Sequence, residues 1–337
     1  MLNRLPTFTP AQFRKLTWVA LFALTVVVMT GAAVRLTSSG LGCPDWPACH
    51  GDVVPPLGLN TFIEYGNRVF SGIITVISLL VFIASLRRTP RRMDLVWLSL
   101  LLPLGCIAQA VLGGITVKED LAPGYVMSHF CLSMLILVGV IWLVWRARYD
   151  DDADRPVSED VWTVWIVRLC AVLGAIVIVC GTLATGAGPH PGDNNGELVR
   201  RFDFKGADTL VWLVHRHGTA ATVLGLCVIL AWFMARRRTT NAGLVEALTL
   251  TGVLMAAQGL VGSVQYALQL PSDFVWVHVT LATITWLSLL WAVGAAGRVG
   301  VPVREGGDGS NGSGDGRHVP LVGAEVVTSP VPRAARR

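Results

Sequence analysis

Three histidines of this chain, His129, His215 and His278, stand within or at the ends of long apolar stretches of sequence. An ionisable side chain in such a stretch is costly to bury and by default indicates a functional site. Two imidazoles that face each other across a helix bundle suit axial ligation of a haem iron. We therefore expect His215 and His278 to ligate one haem and His129 to serve a second site. The alternative is that each imidazole only hydrogen-bonds to a neighbouring helix.

A fourth histidine, His217, competes with His215 for the same role. Side chains two residues apart on a helix point about 200° apart, so both cannot ligate one iron. His215 directly precedes Arg216, just as Asn67 directly precedes Arg68. This match favours His215 as the ligand.

Polar residues also cluster before the second long apolar stretch. Glu64, Asn67 and Arg68 are spaced i, i+3 and i+4, which places them on one face of a helix. A guanidinium group matches a carboxylate, so we expect Arg68 and Arg216 to pair with haem propionates, unless they only extend to the membrane surface. Glu64 has an apolar counterpart, Trp212, 148 residues further on. This asymmetry indicates that Glu64 serves the chemistry of one half only, either by moving protons or by stabilising a cationic intermediate.

The elements that must position these residues are membrane helices. The chain has 337 residues, of which 53% are hydrophobic and only 15% are charged, far from the composition of a soluble domain. A span needs about 20 mostly apolar residues. Eight runs qualify: Thr17–Val34, Val69–Leu86, Leu95–Leu112, Val126–Trp145, Trp162–Leu183, Leu210–Ala235, Leu244–Tyr266 and Phe274–Ala296. We therefore predict an all-α integral membrane protein with eight transmembrane helices.

Basic residues predict the orientation, because short cytoplasmic loops collect Lys and Arg. They lie on one side of the predicted helices: Arg4, Arg14, Lys15, Arg87, Arg88, Arg91, Arg92, Arg146, Arg148, Arg236, Arg237 and Arg238. We expect both termini to be cytoplasmic and the protein to reside in the cell membrane, among its lipids. The net charge of +5 then reflects topology and is not evidence of a nucleic-acid partner.

An internal repeat predicts the architecture. His129 and His278 are 149 residues apart, as are Gln109 and Gln258. Gly31 and Gly181 are 150 apart, and Arg68 and Arg216 are 148 apart. The chain is thus predicted to hold two tandem, pseudo-symmetric four-helix bundles of the same orientation. Residues 1–150 form the first half, 151–296 the second, and 297–337 a disordered cytoplasmic tail rich in Gly and Ser.

The stretch GLGCPDWPACHGD follows the first span and on this topology faces outward, where disulfides persist. Cys43 and Cys49 are the only cysteines outside the apolar runs, so we expect them to form a disulfide. The other five are expected to be inert packing residues. A tied, proline-stiffened loop would cap the outer helix ends, with a redox role for the two cysteines as the alternative.

The motifs RLTSSGLGCPDWPACHG, EYGNR, QAVLGG, SHF, TGAGPHPGD and VHRHG, in this order, resemble those of haem A synthases, from Thr17 to about Ala296. The resemblance implies oxidation of the C8 methyl group of haem O to a formyl group, which yields haem A for cytochrome oxidase. It also implies a substrate haem O in the first half and a permanent haem b in the second. Haem O synthase would be the upstream partner, and the electron donor is not identified.

The chain departs from that family pattern at two places. Many members carry a histidine where Asn67 stands, and many have a second cysteine pair after the fifth span, where TGAGPHPGDNNGE has none. The first departure resembles an actinobacterial-type, two-repeat member. It leaves His129 as the sole expected protein ligand of the substrate iron, with an open position for oxygen. One alternative is a non-catalytic di-haem electron carrier of cytochrome b type, which leaves Glu64 unexplained. Another is a transporter, which only the parallel repeat supports.

Overall fold

Eight α-helices form almost all of the regular structure in the computed structural model, which describes residues 7–52, 55–150, 155–158, 160–193 and 199–300. All eight are long and apolar enough to cross a bilayer. In chain order they are α1 (Pro10–Leu36), α2 (Leu59–Leu86), α3 (Met93–Lys118), α4 (Pro123–Ala147), α5 (Val161–Ala187), α6 (Thr209–Arg238), α7 (Ala242–Ala267) and α8 (Ser272–Ala296). The chain is therefore an all-α, multi-pass membrane protein, which confirms the sequence prediction.

Several helices begin earlier than the apolar runs suggest. α1 begins at Pro10 because Thr9 and Gln12 form a capping box in which each side chain binds the other's backbone N–H. α2 begins at Leu59, ten residues before the predicted start of its apolar run. Glu64, Asn67 and Arg68 consequently lie within α2, on one helix as their spacing predicts.

The helices pack as two rings of four. In the first ring α1 contacts α2, α2 contacts α3, α3 contacts α4, and α4 closes on α1. In the second ring α5 to α8 repeat this order, with α8 closing on α5. The rings meet along a seam in which α1 packs on α8, α4 packs on α5, and α4 also packs on α8.

Hydrogen bonds to backbone carbonyls tie the seam together. Trp276 of α8 donates its indole N–H to the carbonyl of Met29 at 3.0 Å. The guanidinium group of Arg35, at the end of α1, donates to the carbonyls of Thr185 and His190 at 3.0 and 3.1 Å. An arginine of the first half thus holds the loop that follows α5.

The two ends of the helices differ in charge, as the sequence predicted. At the basic end, Asp94 bridges Arg92 and Arg146 at 2.7 and 2.6 Å. At the same end a two-residue strand, Val157–Ser158, pairs in parallel with Arg298–Val299. Residues 297–300 of the predicted tail are therefore ordered. Arg4, residues 151–154 at the start of the predicted second half and residues 301–337 of the predicted tail lie outside the described residues.

Candidate haem-binding sites

In the second half the structure brings His217 and His278 together. The centres of the two imidazole rings are 6.1 Å apart, and their planes are inclined at 74°. His215 is exposed on the opposite side of α6. The prediction of His215 as the ligand is therefore corrected: in this structure His217 faces His278.

The correction follows from helix geometry and from a signal that was present in the sequence. His217 follows Gly181 by 36 residues, and Asn67 follows Gly31 by the same number. Matching these two pairs aligns Asn67 with His217. Matching Asn67–Arg68 to His215–Arg216 instead gives an offset of 148 residues, two fewer than the 150 between Asn67 and His217. A difference of two residues rotates the aligned side chain by about 200° around the helix. The match of Arg68 to Arg216 selected the wrong face.

Contacts with neighbouring helices fix the two imidazoles. Nδ1 of His217 lies 3.1 Å from the carbonyl oxygen of Val177 on α5, which leaves Nε2 available for a ligand. The amide of Gln258 on α7 donates to the carbonyl of His278 at 3.0 Å. Nδ1 of His278 is buried and makes no hydrogen bond to any residue that the structure describes. His217 is thus held as ligating histidines usually are, by a hydrogen bond of the ring nitrogen that does not face the metal, whereas the contact of Gln258 holds the backbone of His278.

The second site fits a haem iron. A metal ion bound at about 2 Å to one nitrogen of each of two facing imidazoles would hold the ring centres about 6 Å apart. The spacing of His217 and His278 matches this value. Both rings come from facing helices of one four-helix ring, an arrangement that builds cofactor sites in bundles.

The first half repeats this arrangement with one difference. Gln109 of α3 donates to the carbonyl of His129 at 3.0 Å and to the hydroxyl of Ser133 at 2.6 Å. Nδ1 of His129, like that of His278, is buried and has no hydrogen-bond partner among the described residues. Asn67 takes the place of the second imidazole on α2. Its side-chain oxygen accepts a hydrogen bond of 2.8 Å from Thr30 of α1.

Glu64 and Arg68 form an ion pair at 2.6 Å that supports the loop after α1. The other carboxylate oxygen of Glu64 accepts from the backbone N–H of Cys43 at 2.7 Å, and the residue is only 6% exposed. Arg68 also donates to the carbonyls of Cys43, Asp45 and Ala48 at 2.8 to 3.0 Å. In this structure the terminal nitrogens of Arg68 bind the loop and Glu64, and its pairing with a propionate stays a prediction.

Arg216 does not repeat the role of Arg68. It is exposed, and its guanidinium carbon lies 5.3 Å from the centre of the Trp212 ring. Lys205 approaches the same ring at 5.3 Å. Cations at this range are attracted by the face of an indole ring. The two arginines, which sequence spacing paired, hold different partners.

The cysteine loop forms a cap over the outer end of the first half. A disulfide joins Cys43 and Cys49, both of which are fully buried. Trp46 packs on Gly114 of α3, where a methyl group would lie 3.0 Å from the indole ring. We call residues 42–52 the cap loop. Its contacts with α2 and α3 place it above the helices that carry Asn67 and Gln109.

Asp45 organises the turn of the cap loop. Its carboxylate accepts the backbone N–H groups of Gly51 at 2.7 Å and His50 at 2.6 Å. These hydrogen bonds, chiefly that from Gly51, lower the pKa of Asp45 below its ordinary value. His50 has a positive φ of 58°, and its Nε2 lies 3.1 Å from the carbonyl of Gly42. In this structure His50 is thus part of the cap loop.

The chain matches one family of known proteins. Residues 14–188, more than half of the chain, match the model of the cytochrome oxidase assembly protein family. The chain is 25% identical over 233 residues to a haem A synthase of Bacillus licheniformis, covering 65% of this chain and 74% of that protein. It is 30% identical over 135 residues to a haem A synthase of Halalkalibacterium halodurans, covering 40% of this chain and 45% of that protein.

A third relative, the haem A synthase of Bacillus mycoides, is 33% identical over 135 residues, which are 39% of this chain and 43% of that protein. The aligned stretch thus spans less than half of two of these three relatives. The eight long apolar helices and these bacterial relatives indicate a multi-pass protein of the bacterial inner membrane. The motif order, the helical architecture and the extent of the family match agree: the chain belongs to the cytochrome oxidase assembly protein family.

Proposed function

We propose that this chain is a haem A synthase, which oxidises the C8 methyl group of haem O to a formyl group. The observation that carries the proposal is the asymmetry between the two halves. The second half pairs two imidazoles, His217 and His278, whereas the first offers His129 opposite Asn67. One half therefore suits electron transfer, and the other suits chemistry on a bound substrate. The names of the relatives support this assignment.

The second half is proposed to hold haem b. When bound there, haem b supplies a one-electron redox centre. His217 and His278 would hold its iron from both sides, so that neither ligand has to leave during electron transfer. The hydrogen bond of His217 to Val177 and that of Gln258 to the backbone of His278 keep both side chains in place.

The first half is proposed to bind haem O as substrate through His129. Asn67 is a weak ligand for iron compared with imidazole, and Thr30 holds its side-chain oxygen. The side of the substrate opposite His129 is therefore left to oxygen. Two successive hydroxylations, each taking up one O₂, two electrons from the unidentified donor and two protons and releasing one water, would convert the methyl group to a geminal diol. The diol loses water to form the aldehyde.

The cap loop is proposed to shield the substrate, because exclusion of water protects a reactive oxidation. Glu64 remains our candidate for moving a proton at the substrate, and Arg68 and Cys43 hold both of its carboxylate oxygens in place. Glu64 is the only acidic residue in the sequence of α2, and it lies one turn before Asn67. Haem O synthase would supply the substrate, and cytochrome oxidase would receive the product.

A di-haem electron carrier is the second candidate. The repeated contacts of Gln109 with His129 and of Gln258 with His278 favour it, because a carrier needs two similar sites. Two differences argue against it: Asn67 replaces an imidazole, and the position equivalent to Glu64, when Asn67 is aligned with His217, is the apolar Val214. A synthase is expected to contain haem b together with haem O or hydroxylated haem. A carrier would contain only permanent haems.

The test is to purify the protein, extract its haems and identify them by mass. Spectra of the same sample should show a low-spin haem in addition to a substrate haem. His217→Ala should remove the low-spin signal, and the matched control His215→Ala should retain it. Loss of that signal in His215→Ala, with retention in His217→Ala, would overturn the assignment of the ligand.

A further inference from the structure

Each of the three histidines assigned to a haem lies against a glycine of the preceding helix in its ring. A methyl group built on Gly181 would lie 3.0 Å from Cε1 of His217, and one on Gly262 would lie 3.0 Å from Cε1 of His278. In the first half, a methyl group on Gly113 would lie 3.3 Å from Cε1 of His129. These distances are shorter than ordinary van der Waals contacts, so only a glycine leaves the rings where they are.

Each glycine lies nearest to the Cε1 edge of its imidazole ring. The distances from the Gly262 methyl position to His278 increase from 3.0 Å at Cε1 to 3.4 Å at Nδ1 and 4.0 Å at Nε2. For Gly181 and His217 the same three distances are 3.0, 3.3 and 3.7 Å. In both pairs Nε2 is the farthest of these ring atoms from the glycine. The glycine thus determines which edge of the imidazole faces its neighbouring helix.

A glutamine one turn before two of these glycines anchors the backbone of the same histidine. Gln109 stands four residues before Gly113, and Gln258 stands four residues before Gly262. Each donates to the carbonyl of the facing histidine at 3.0 Å. Residues four apart share one face of a helix. One face of α3, and the equivalent face of α7, therefore contacts a histidine at both its backbone and its ring.

We infer that Gln109 with Gly113, and Gln258 with Gly262, are positioning residues that set the orientation of the haem-ligating imidazoles of His129 and His278. The inference rests on the proposed function, because it takes these histidines to be haem ligands. The glutamine fixes the height of the histidine relative to the neighbouring helix. The glycine leaves space for the imidazole ring close to that helix. Outer partners of this kind tune the bond between a ligand and its metal.

The test uses the holoprotein and the low-spin haem of the second half. Gly262→Ala should displace the imidazole of His278 by a few tenths of an ångström, because the ring is held between iron and α7. We expect altered g-values in electron paramagnetic resonance and a haem loss to apomyoglobin that is about tenfold faster or more. Gly252→Ala is the matched control on α7, because a methyl group there meets no atom of the described residues within 4 Å.

A second variant keeps the test valid if Gly262→Ala does not accumulate in the membrane. Gln258→Leu preserves the approximate size of the side chain and removes only the donor to the His278 carbonyl. We expect it to change the g-values and to speed haem loss, with the protein still folded. A merely structural role would lower the melting temperature without moving the g-values of the haem that stays bound.

The first half provides the mirror experiment. Gly113→Ala should leave the low-spin signal unchanged and alter the spectrum of the substrate haem at His129. Wild-type g-values and loss rates in both Gly262→Ala and Gln258→Leu would overturn the inference but not the haem site. Absence of any low-spin haem from the wild type, or its retention in His217→Ala and His278→Ala, would instead overturn the proposed function.

Discussion

In the proposed function, single residues decide which half of this protein does which task. Asn67 and His217 both lie eight residues after the start of their helices, α2 and α6. His129 and His278 both lie six residues after the starts of α4 and α8. At 1.5 Å per residue, all four side chains are about 9 to 12 Å below the outer helix ends. Among these four positions the two halves thus differ only in Asn67 of the first half, which stands where the second half has His217.

Asn67→His tests whether the lack of an imidazole at position 67 matters for the substrate site. Gly31 leaves room for the larger ring, since a methyl group there meets no atom of the described residues within 4 Å. We expect the substrate-loaded variant to become more six-coordinate and low-spin, and its turnover to fall, because oxygen loses its position. An unchanged high-spin spectrum, measured in the substrate-loaded protein, would show that the new imidazole does not reach the iron.

Glu64→Gln separates proton chemistry from support of the cap loop. The amide can still accept the Cys43 N–H, whereas the charge and the acid-base function are lost. If Glu64 acts on the substrate, haem b content should stay near normal and haem A should disappear from the extracted haems.

The matched comparison is Cys43→Ser, which opens the disulfide of the cap loop without changing the carboxylate. We expect a smaller loss of haem A in that variant. Near-normal haem A output from Glu64→Gln would remove Glu64 from the mechanism and leave it a structural partner of Arg68.

At the scale of elements, the cap loop depends on a charged turn. The pKa of Asp45 is lowered by hydrogen bonds from Gly51 and His50, so the folded state favours the ionised form. Its contribution to stability is present above the ordinary pKa of an aspartate. It is lost as the pH falls through the lowered pKa of the folded state.

Asp45→Asn should therefore lower the melting temperature at neutral pH, and the difference from the wild type should vanish in acid. Thermal unfolding in detergent across this pH range measures the effect. Asp52→Asn, which removes a carboxylate from the same loop, is the control. A difference that persists unchanged in acid would contradict the role of the ionised Asp45.

The sequence predicted the helices well and their polar ends less well. Apolar runs are obligatory for a span, so all eight helices were predictable from composition alone. The start of α2 at Leu59 was not predictable from the apolar run, although spacing placed Glu64 and Arg68 on a helix, because these two residues neutralise one another and bind the cap loop. Hydropathy does not register such a tertiary compensation.

The candidate site was predictable where helical position alone decides it. His129 and His278 recur at equal depth, and their repeat spacing identified them. His217 was missed because a two-residue difference in alignment reverses the face of a helix. The contacts of Arg68 with the loop carbonyls were not predictable, because only the folded cap loop brings these carbonyls to α2.

At the scale of the molecule, the seam between the rings is a close-packed interface. Gly294 of α8 faces Trp145 of α4, and a methyl group on it would lie 2.6 Å from the indole ring. Trp145 is further held edge-on against Trp291, with ring centres 4.8 Å apart. The position therefore has no space for even one additional carbon atom.

Gly294→Ala should destabilise the protein by about 1 to 3 kcal/mol, the usual cost of overpacking. The measurement is thermal or denaturant unfolding of the purified protein. Gly139→Ala on α4, where a methyl group meets no atom of the described residues within 4 Å, should show no such loss. Equal stabilities of the two variants would contradict tight packing at the seam.

The pattern of contacts along the seam has an evolutionary consequence. α1 packs on α8 while α4 packs on α5, and the repeat that relates α1 to α5 and α4 to α8 exchanges these two contacts. The remaining contact, α4 with α8, is its own counterpart. A homodimer with twofold symmetry makes contacts of this reciprocal kind. The arrangement is the one that fusion of two identical half-length subunits would leave, after which the two copies are free to differ at equivalent positions such as Asn67 and His217.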